Sequence, residues 1–434
     1  MSDPGTPIGG GFFESLLGDF IKLLDTRGPA LWETVTQLAQ ALATEGLGED
    51  NVDPLERIRI EEIARVAELH VAEITGLATS MTGRPVTVAA RTRAEWATVT
   101  LDAWRPLFEA MTAALSSTSA DTAGETGGTN VQPPSAGSAF GVGMPPAGLG
   151  ARDLAALFGQ SAPGEEGDES GIEELLGRWA AKLEPVLLAM QFGSTIGHLS
   201  RTVLAQYDLP LPRPASDEIV MVPANILAFA DEWSLPADDV RMWVALREVA
   251  SHAVLARQHV RERIESLVRE YIDGFAPMRR GGSQTPPVDL TDPASLERAL
   301  QDPSSLLGEM ETPDQARVLA NLEAVVAAMA GYVDHVVDVA GRRLIASFPA
   351  VSEALRRRRV TRGQGQRFAE RFFGLRLDQA QYDRGDAFVA GAIERAGDSA
   401  LARLWESAST LPTPAELDAP GLWLARIDLP AESA

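Results

Sequence analysis

A mostly α-helical protein with at most a small β element is what this chain predicts. Three observations predict it. Apolar residues recur at three- and four-residue spacing through most of its length, three segments carry the signature of a helix start, and a single run reads as a strand. Phe12, Phe13, Leu16, Leu17, Phe20, Ile21 and Leu24 form the first apolar stripe. Glu14, Asp19 and Asp25 outnumber Lys22 there, so the stripe suits packing on protein, its own or a second subunit's, better than an anionic membrane. Asp53-Pro54-Leu55-Glu56 offers an N-cap, a proline at the first helical position and a capping-box acid, and opens a helix to about Gly76. Thr92-Arg93-Ala94-Glu95 is a second start, followed by Trp96, Val99, Leu101 and Trp104.

Residues 116–170 change character. Ser, Thr, Gly and Pro dominate, with acids at Glu165, Glu166, Asp168 and Glu169. Such a segment buries too little apolar surface to offset its ordering entropy and reads as a disordered linker, with a short helix at Asp153 to Phe158. The helical pattern returns at Gly171. Glu218-Ile219-Val220-Met221-Val222-Pro223 is the strand, short enough for a sheet edge. One long helix is expected from Asp238 to Tyr271. Thr312-Pro313-Asp314-Gln315 opens another, with the stripe Val318, Leu322, Val325, Met329 and Val336 and a stop at Gly341. Helix then continues to Trp405 before a proline-punctuated tail. The expected organisation is a helical region 1–115, a linker 116–170, and a region 171–434 that packs with 50–115 as one domain.

Composition bounds the function. With no cysteine among 434 residues, disulfides, cysteine-ligated zinc and thiol chemistry are excluded. A net charge of −23, from 61 acidic against 38 basic residues, disfavours a nucleic-acid partner. No signal-peptide pattern and no run of about 18 apolar residues is present, so a cytoplasmic protein without a membrane span is expected. Arg356-Arg357-Arg358-Arg359, with Arg362, Arg367, Arg371 and Arg376, reads as a solvated helix face pairing with the acidic remainder, an anion-binding patch being the sharper alternative. No phosphate-cradling loop, nucleophile elbow or dinucleotide fingerprint occurs. Gly9-Gly10-Gly11 reads as terminal flexibility.

The segment Trp243-Val244-Ala245-Leu246-Arg247-Glu248-Val249-Ala250-Ser251-His252 has the frame of a zinc-protease helix. A His-Glu-x-x-His helix places two imidazoles one turn apart, with the Glu as general base on a metal-bound water. Here the frame holds Arg247, Glu248 and Ser251. Arginine keeps its proton and a serine hydroxyl is a poor zinc ligand. Val240, Val244 and Val254 mark the 247/251 side as inward-facing, so a guanidinium there would replace a cation's charge and pair with Glu248 or another carboxylate.

Together with Val203-Leu204-Ala205-Gln206-Tyr207-Asp208-Leu209-Pro210, Val222-Pro223-Ala224-Asn225, Gly331-Tyr332-Val333-Asp334-His335-Val336-Val337-Asp338 and Gln381-Tyr382-Asp383-Arg384-Gly385, this helix resembles a family of zincin-like metallopeptidases from GC-rich bacteria. The resemblance spans roughly Asp53 to Pro430, without the linker. It implies a zincin-like metallopeptidase fold and, position by position, a catalytic Glu at Glu248. It places the ligands at Arg247, Ser251 and Ala330, none of which suits zinc. The expectation is therefore a family member with no cofactor, acting as a binding or regulatory scaffold for a protein or peptide. Two alternatives stay open. One is an active zinc-dependent hydrolase with displaced ligands drawn from Glu248, His252, Asp334 and His335, although Glu248 and His252 point away from the 247/251 side. The other is a structural protein forming a homo-oligomer through the N-terminal stripe. His259 lies about 10.5 Å of helical rise from His252, too far to share a metal, and His70 and His198 are isolated.

Overall fold

Each of the three capped segments begins a helix. In a computed structural model, which describes residues 29–121, 186–275, 312–360, 369–370, 372–375 and 378–429, helix α1 spans Pro29–Ala43 and α2 spans Pro54–Thr75. The Asp53 carboxylate accepts the Leu55 N–H at 2.9 Å, and Gly76, at φ 64°, ends α2 in the left-handed conformation that glycine adopts without strain. Strand β1 is Thr87–Ala90, and α3 is Arg93–Asp121. Thr92 and Glu95 exchange side chain-to-backbone hydrogen bonds at the start of α3. That helix continues to Asp121, six residues into the stretch that composition assigns to the linker. The rest of the linker lies outside the described residues, as do the N-terminal stripe, Gly9-Gly10-Gly11, Arg362, Arg367, Arg371 and Arg376.

Helix α4, residues 186–200, lies so close to α1 that a Cβ on Gly193 would stand 2.8 Å from Val35 and one on Gly197 2.7 Å from the Ala39 carbonyl. Phe192 of α4 meets Phe108 of α3 at 5.3 Å between ring centres. A single 3₁₀ turn, Gln206–Asp208, leads toward strand β2, Glu218–Met221. β2 runs parallel to β1, with Thr87 opposite Glu218 and Ala90 opposite Met221. The sequence reads only β2 as a strand. β1 is four residues long and half alanine, too brief to show a period.

Helices α5 (Pro223–Glu232), α6 (Ala237–Leu255) and α7 (Gln258–Asp273) follow. The single helix expected from 238 to 271 is thus two helices. Arg257 leaves the helical conformation at ψ 112°. A straight helix of that length would extend about 50 Å, whereas the turn brings Val260, Ile264, Leu267 and Val268 of α7 into the core. Helix α8 spans Pro313–Leu344, opened by the reciprocal Thr312–Gln315 cap. Gly341 is not its stop. It lies inside the helix under the Phe348 ring, where a Cβ would come within 2.4 Å, and the chain leaves the helix at Ile345. α8 has the length and hydropathy of a membrane span, but 67% of its most apolar window is buried inside the protein.

Helices α9 (Phe348–Val360) and α10 (Gln379–Ala396), two 3₁₀ segments (Asp398–Trp405 and Ala408–Thr410), and α11 (Pro414–Asp418) and α12 (Pro420–Asp428) complete the described chain. α6 and α8 lie side by side at the centre, with α2 against α6 and with α7 and α10 against α8. The fold is mostly α, with two short strands among the described residues.

Candidate functional site

Helix α6 is buried on nearly every side: Val240, Val244, Leu246, Glu248, Ser251, His252 and Val254 are all buried. Its polar groups therefore need partners, and the 3₁₀ turn 206–208 supplies them. The Tyr207 N–H donates to Glu248 Oε2 at 2.7 Å. One turn further along α6, the Tyr207 hydroxyl meets His252 Nδ1 at 2.8 Å. Glu248 and His252 are thus fastened to the backbone and the side chain of one residue.

Arg247 stands at the edge of this arrangement. Its Nη1 lies 3.3 Å from the Tyr207 carbonyl oxygen, 3.3 Å from Asp208 Oδ1 and 3.2 Å from Glu248 Oε1. Asp208 Oδ2 in turn accepts from Arg358 at 2.8 Å and from the Leu204 N–H at 2.8 Å. One cationic nitrogen thus collects three oxygens, and the carboxylate behind it bridges two guanidinium groups.

The two acids differ in charge state. Burial pushes Glu248 up to about 8, against the pull of Arg247 and with a further push from Asp208. Burial acts on Asp208 in the same sense, but Arg358 and Arg247 outweigh it and hold its carboxyl below the ordinary range. Asp208 therefore carries the negative charge that Arg247 faces. Burial lowers His252 to about 4, so it is a neutral imidazole at physiological pH.

Above Arg247 opens a cavity of about 900 Å³ between the 43–49 segment, the end of α4, and helices α5, α6 and α9. Its charged lining comprises Arg93, Arg201, Arg247, Arg358 and Arg359 against Glu45, Glu49, Asp208 and Glu232, and Phe229, Trp233, Trp243 and Tyr382 supply aromatic surface. Five cations against four anions, with His198 beside them, make this cleft locally balanced in a chain of net charge −23. Asn225 pins one wall, donating to the Ser200 and Val203 carbonyls at 2.8 and 2.7 Å while its Oδ1 accepts from Arg93 Nε at 2.7 Å. Arg359 pins the other: it grips Asp334 through two hydrogen bonds of 2.5 and 2.6 Å and lies 4.4 Å over the Tyr382 ring.

The sequence segments 203–210, 222–225, 243–252, 331–338 and 381–385 all contribute to this cleft or to the contacts that hold it. Gly331 and Gly385 are where two of them cross. A Cβ on either would stand within 2.3 Å of the backbone opposite, so α8 and α10 touch there without side chains between them.

The candidate ligands are placed as follows. Arg247 lines the cleft, Ser251 is buried, and Ala330 is partly buried against the core. Ser251 and Ala330 are not part of the cleft lining: Ser251 lies on α6, which is buried on nearly every side, and Ala330 lies on α8 packed against the core. Glu248 and His252 both turn to Tyr207, Asp334 is held by Arg359, and His335 is half-buried on α8. The displaced set of Glu248, His252, Asp334 and His335 is not brought together: among the described residues no three His, Asp or Glu side chains group closely enough to hold a metal ion. At the positions where the resemblance implies the ligands stand a guanidinium, a hydroxyl and a methyl group, and these do not fit zinc either.

Sequence reasoning passed over Asp208, Tyr207, Asn225, Arg93 and Arg358. The first three lie in segments that carry the family resemblance, with no chemistry legible in their spacing. Arg358 was read with its neighbours as a solvated face, and the run in fact divides. Arg356 and Arg357 are exposed, while Arg358 and Arg359 turn inward to Asp208 and Asp334.

Compared with known proteins, the chain matches the family model of zincin-like metallopeptidases over residues 31–424. It is also similar to a crystal structure from Chloroflexus aurantiacus described as a "putative hydrolase with a novel fold", with a TM-score of 0.59 and 22% identity, covering 92% of this chain and 99% of that one. At that identity the likeness speaks to the fold alone. No curated protein sequence matches the chain.

Proposed function

Because this chain belongs to the zincin-like metallopeptidase family, we propose that it is a member whose zinc pocket is closed by an arginine and whose cleft now binds a protein or peptide segment without cutting it. The observation that carries this reading is the position of Arg247. It stands where the resemblance implies the first ligand of the motif helix, and its Nη1 is within 3.3 Å of oxygens from Tyr207, Asp208 and Glu248. A fixed cation there pairs with the Asp208 carboxylate, which Arg358 holds from the other side, and needs no metal to balance it. Both Glu248 oxygens are already engaged, Oε1 by Arg247 and Oε2 by the Tyr207 N–H.

Binding is favoured by what remains above the arginine. The cleft joins aromatic surface at Trp233 and Trp243 to guanidinium groups in an otherwise acidic molecule. That chemistry suits a peptide with an apolar side chain next to a carboxylate.

Elemental analysis of the purified protein tests the proposal. The expected result is no stoichiometric zinc and no peptidase activity sensitive to a chelator. One zinc per chain after dialysis would overturn it and favour a hydrolase with a different ligand set. The combined substitution Arg247→His, Ser251→His and Ala330→Glu should restore measurable Zn²⁺ binding, because it supplies three ligands and leaves one position open. A folded triple variant that binds no zinc would show that these are not the ligand positions.

A further inference from the structure

Helix α2 has two apolar faces, and among the described residues only one is covered. Ile60, Ala64, Ala67, Val71 and Thr75 are buried against α6, α8 and β1. On the opposite side Leu55, Ile58, Val66 and Leu69 are 74, 52, 40 and 67% exposed. At 100° per residue these four fall within an arc of about 80°. The other large apolar side chains that are exposed among the described residues, Leu47, Leu422 and Leu429, lie outside α2. Single exposed leucines are ordinary, whereas four in one stripe mark a contact surface.

The order of residues along the stripe identifies what it contacts. Leu55 and Leu69 each lie seven residues from Glu62, Ile58 and Val66 each lie four, and Arg59 and Arg65 each lie three. The exposed face therefore reads the same in both directions. We propose that this face pairs antiparallel with the same face of a second copy of the chain, about a two-fold axis passing beside Glu62.

Under that symmetry Leu55 packs on Leu69 of the second copy and Ile58 on its Val66, so every apolar residue of the stripe meets an apolar residue. Glu62 of each copy falls between Arg59 and Arg65 of the other, which sets two carboxylates among four guanidinium groups. Arg59 also has a carboxylate in its own chain, Asp238 at 3.6 Å, which moderates the repulsion between facing arginines. A different helix bound here would have no need of the mirrored spacing. Only an isologous contact uses it.

Leu55 to Leu69 spans about 21 Å of helix, a small contact of the kind that gives weak dimers. The expected state is a dimer at tens of micromolar protein that dissociates on dilution. The chain has no cysteine, so cross-linking reads the geometry directly. Full-length Glu62→Cys protein, with its fold checked by circular dichroism, should form a disulfide-linked dimer on mild oxidation, because position 62 lies beside the axis. Leu55→Cys and Leu69→Cys should each cross-link poorly alone and well when mixed. Adding Ile58→Glu to the Glu62→Cys variant should cut the yield at least tenfold.

Glu62→Cys protein that stays monomeric under oxidation at tens of micromolar would overturn the proposal. So would equal yields from the separate and mixed Leu55 and Leu69 variants, or indifference to Ile58→Glu. If cross-linking arose only after deletion of residues 1–28, the natural occupant would be the chain's own N-terminal segment, and the proposal would again fail. Zinc content has no bearing on this experiment, so its failure and that of the proposed function are separable.

Discussion

Asp208, not Glu248, carries the charge that Arg247 neutralises, and the two acids should answer pH differently. The folded-state pKa of Glu248 is raised to about 8 from the ordinary 4.5, chiefly by burial. The folded protein therefore holds a proton that the unfolded chain releases between those values, and stability should fall as pH rises from about 4.5 to 8. Glu248→Gln removes that dependence. Urea midpoints at pH 5 and pH 8 should differ less in the variant than in the parent, and an unchanged difference would mean that Glu248 is ionised in the fold. Arg247→Ala should cost about 2–3 kcal/mol, below the ~3–5 kcal/mol of an orphaned buried charge, because Arg358 still pairs with Asp208. Tyr207→Phe should cost ~1–3 kcal/mol by leaving the buried His252 Nδ1 without its partner; both are measurable by equilibrium unfolding. At this scale the sequence showed that Arg247 could not be a ligand and would seek a carboxylate. It could not show that Asp208, 39 positions away, would provide one. Nor could periodicity distinguish a core face from a site face on a helix buried all round.

Elements with their instructions written inside four residues were the legible ones. The caps at Asp53, Thr92 and Thr312 form because donor and acceptor lie within one turn, although Glu56 pairs with Arg241 instead of closing a box at Asp53. Features set by a distant surface were not legible: β1 exists because β2 lies beside it, and the chain turns at Arg257 so that the apolar side of α7 meets the core. The Gly331–Gly385 crossing belongs to the same class. It fixes how closely α8 and α10 approach, and so where Arg359 can reach both Asp334 and Tyr382. Gly385→Ala would place a Cβ 2.1 Å from the Ala327 carbonyl oxygen, forcing the helices apart. A loss of about 1–3 kcal/mol is expected, seen as a lower thermal midpoint. An unchanged midpoint would show that the crossing yields more easily than its geometry implies.

At the scale of the whole molecule, the fold class and the family were readable from many short segments in one order, while the cleft they build was not, since each segment contributes one or two side chains to it. Asp217 shows how distant parts are tied. Its carboxylate accepts the N–H groups of Met81, Thr82 and Arg84 and the Thr82 hydroxyl, bonds that outweigh burial and hold it down to about 2. Stability from this clamp is complete above about pH 4 and is lost as pH falls toward 2, so Asp217→Asn should unfold less steeply in acid than the parent. The parallel pairing of β1 with β2 has a consequence of another kind. It joins residues 131 positions apart, and the two sides are further knitted by Arg93 with Asn225, by Arg241 with Glu56, and by α1 lying in the glycine groove of α4. Neither side has a finished interior without the other. Severing the chain between residues 121 and 186 would thus yield two fragments rather than two domains. Each should be insoluble or unfolded when made alone, and the pair should reassemble when made together, turning a single polypeptide into a complementation system whose association reports directly on the strand pairing.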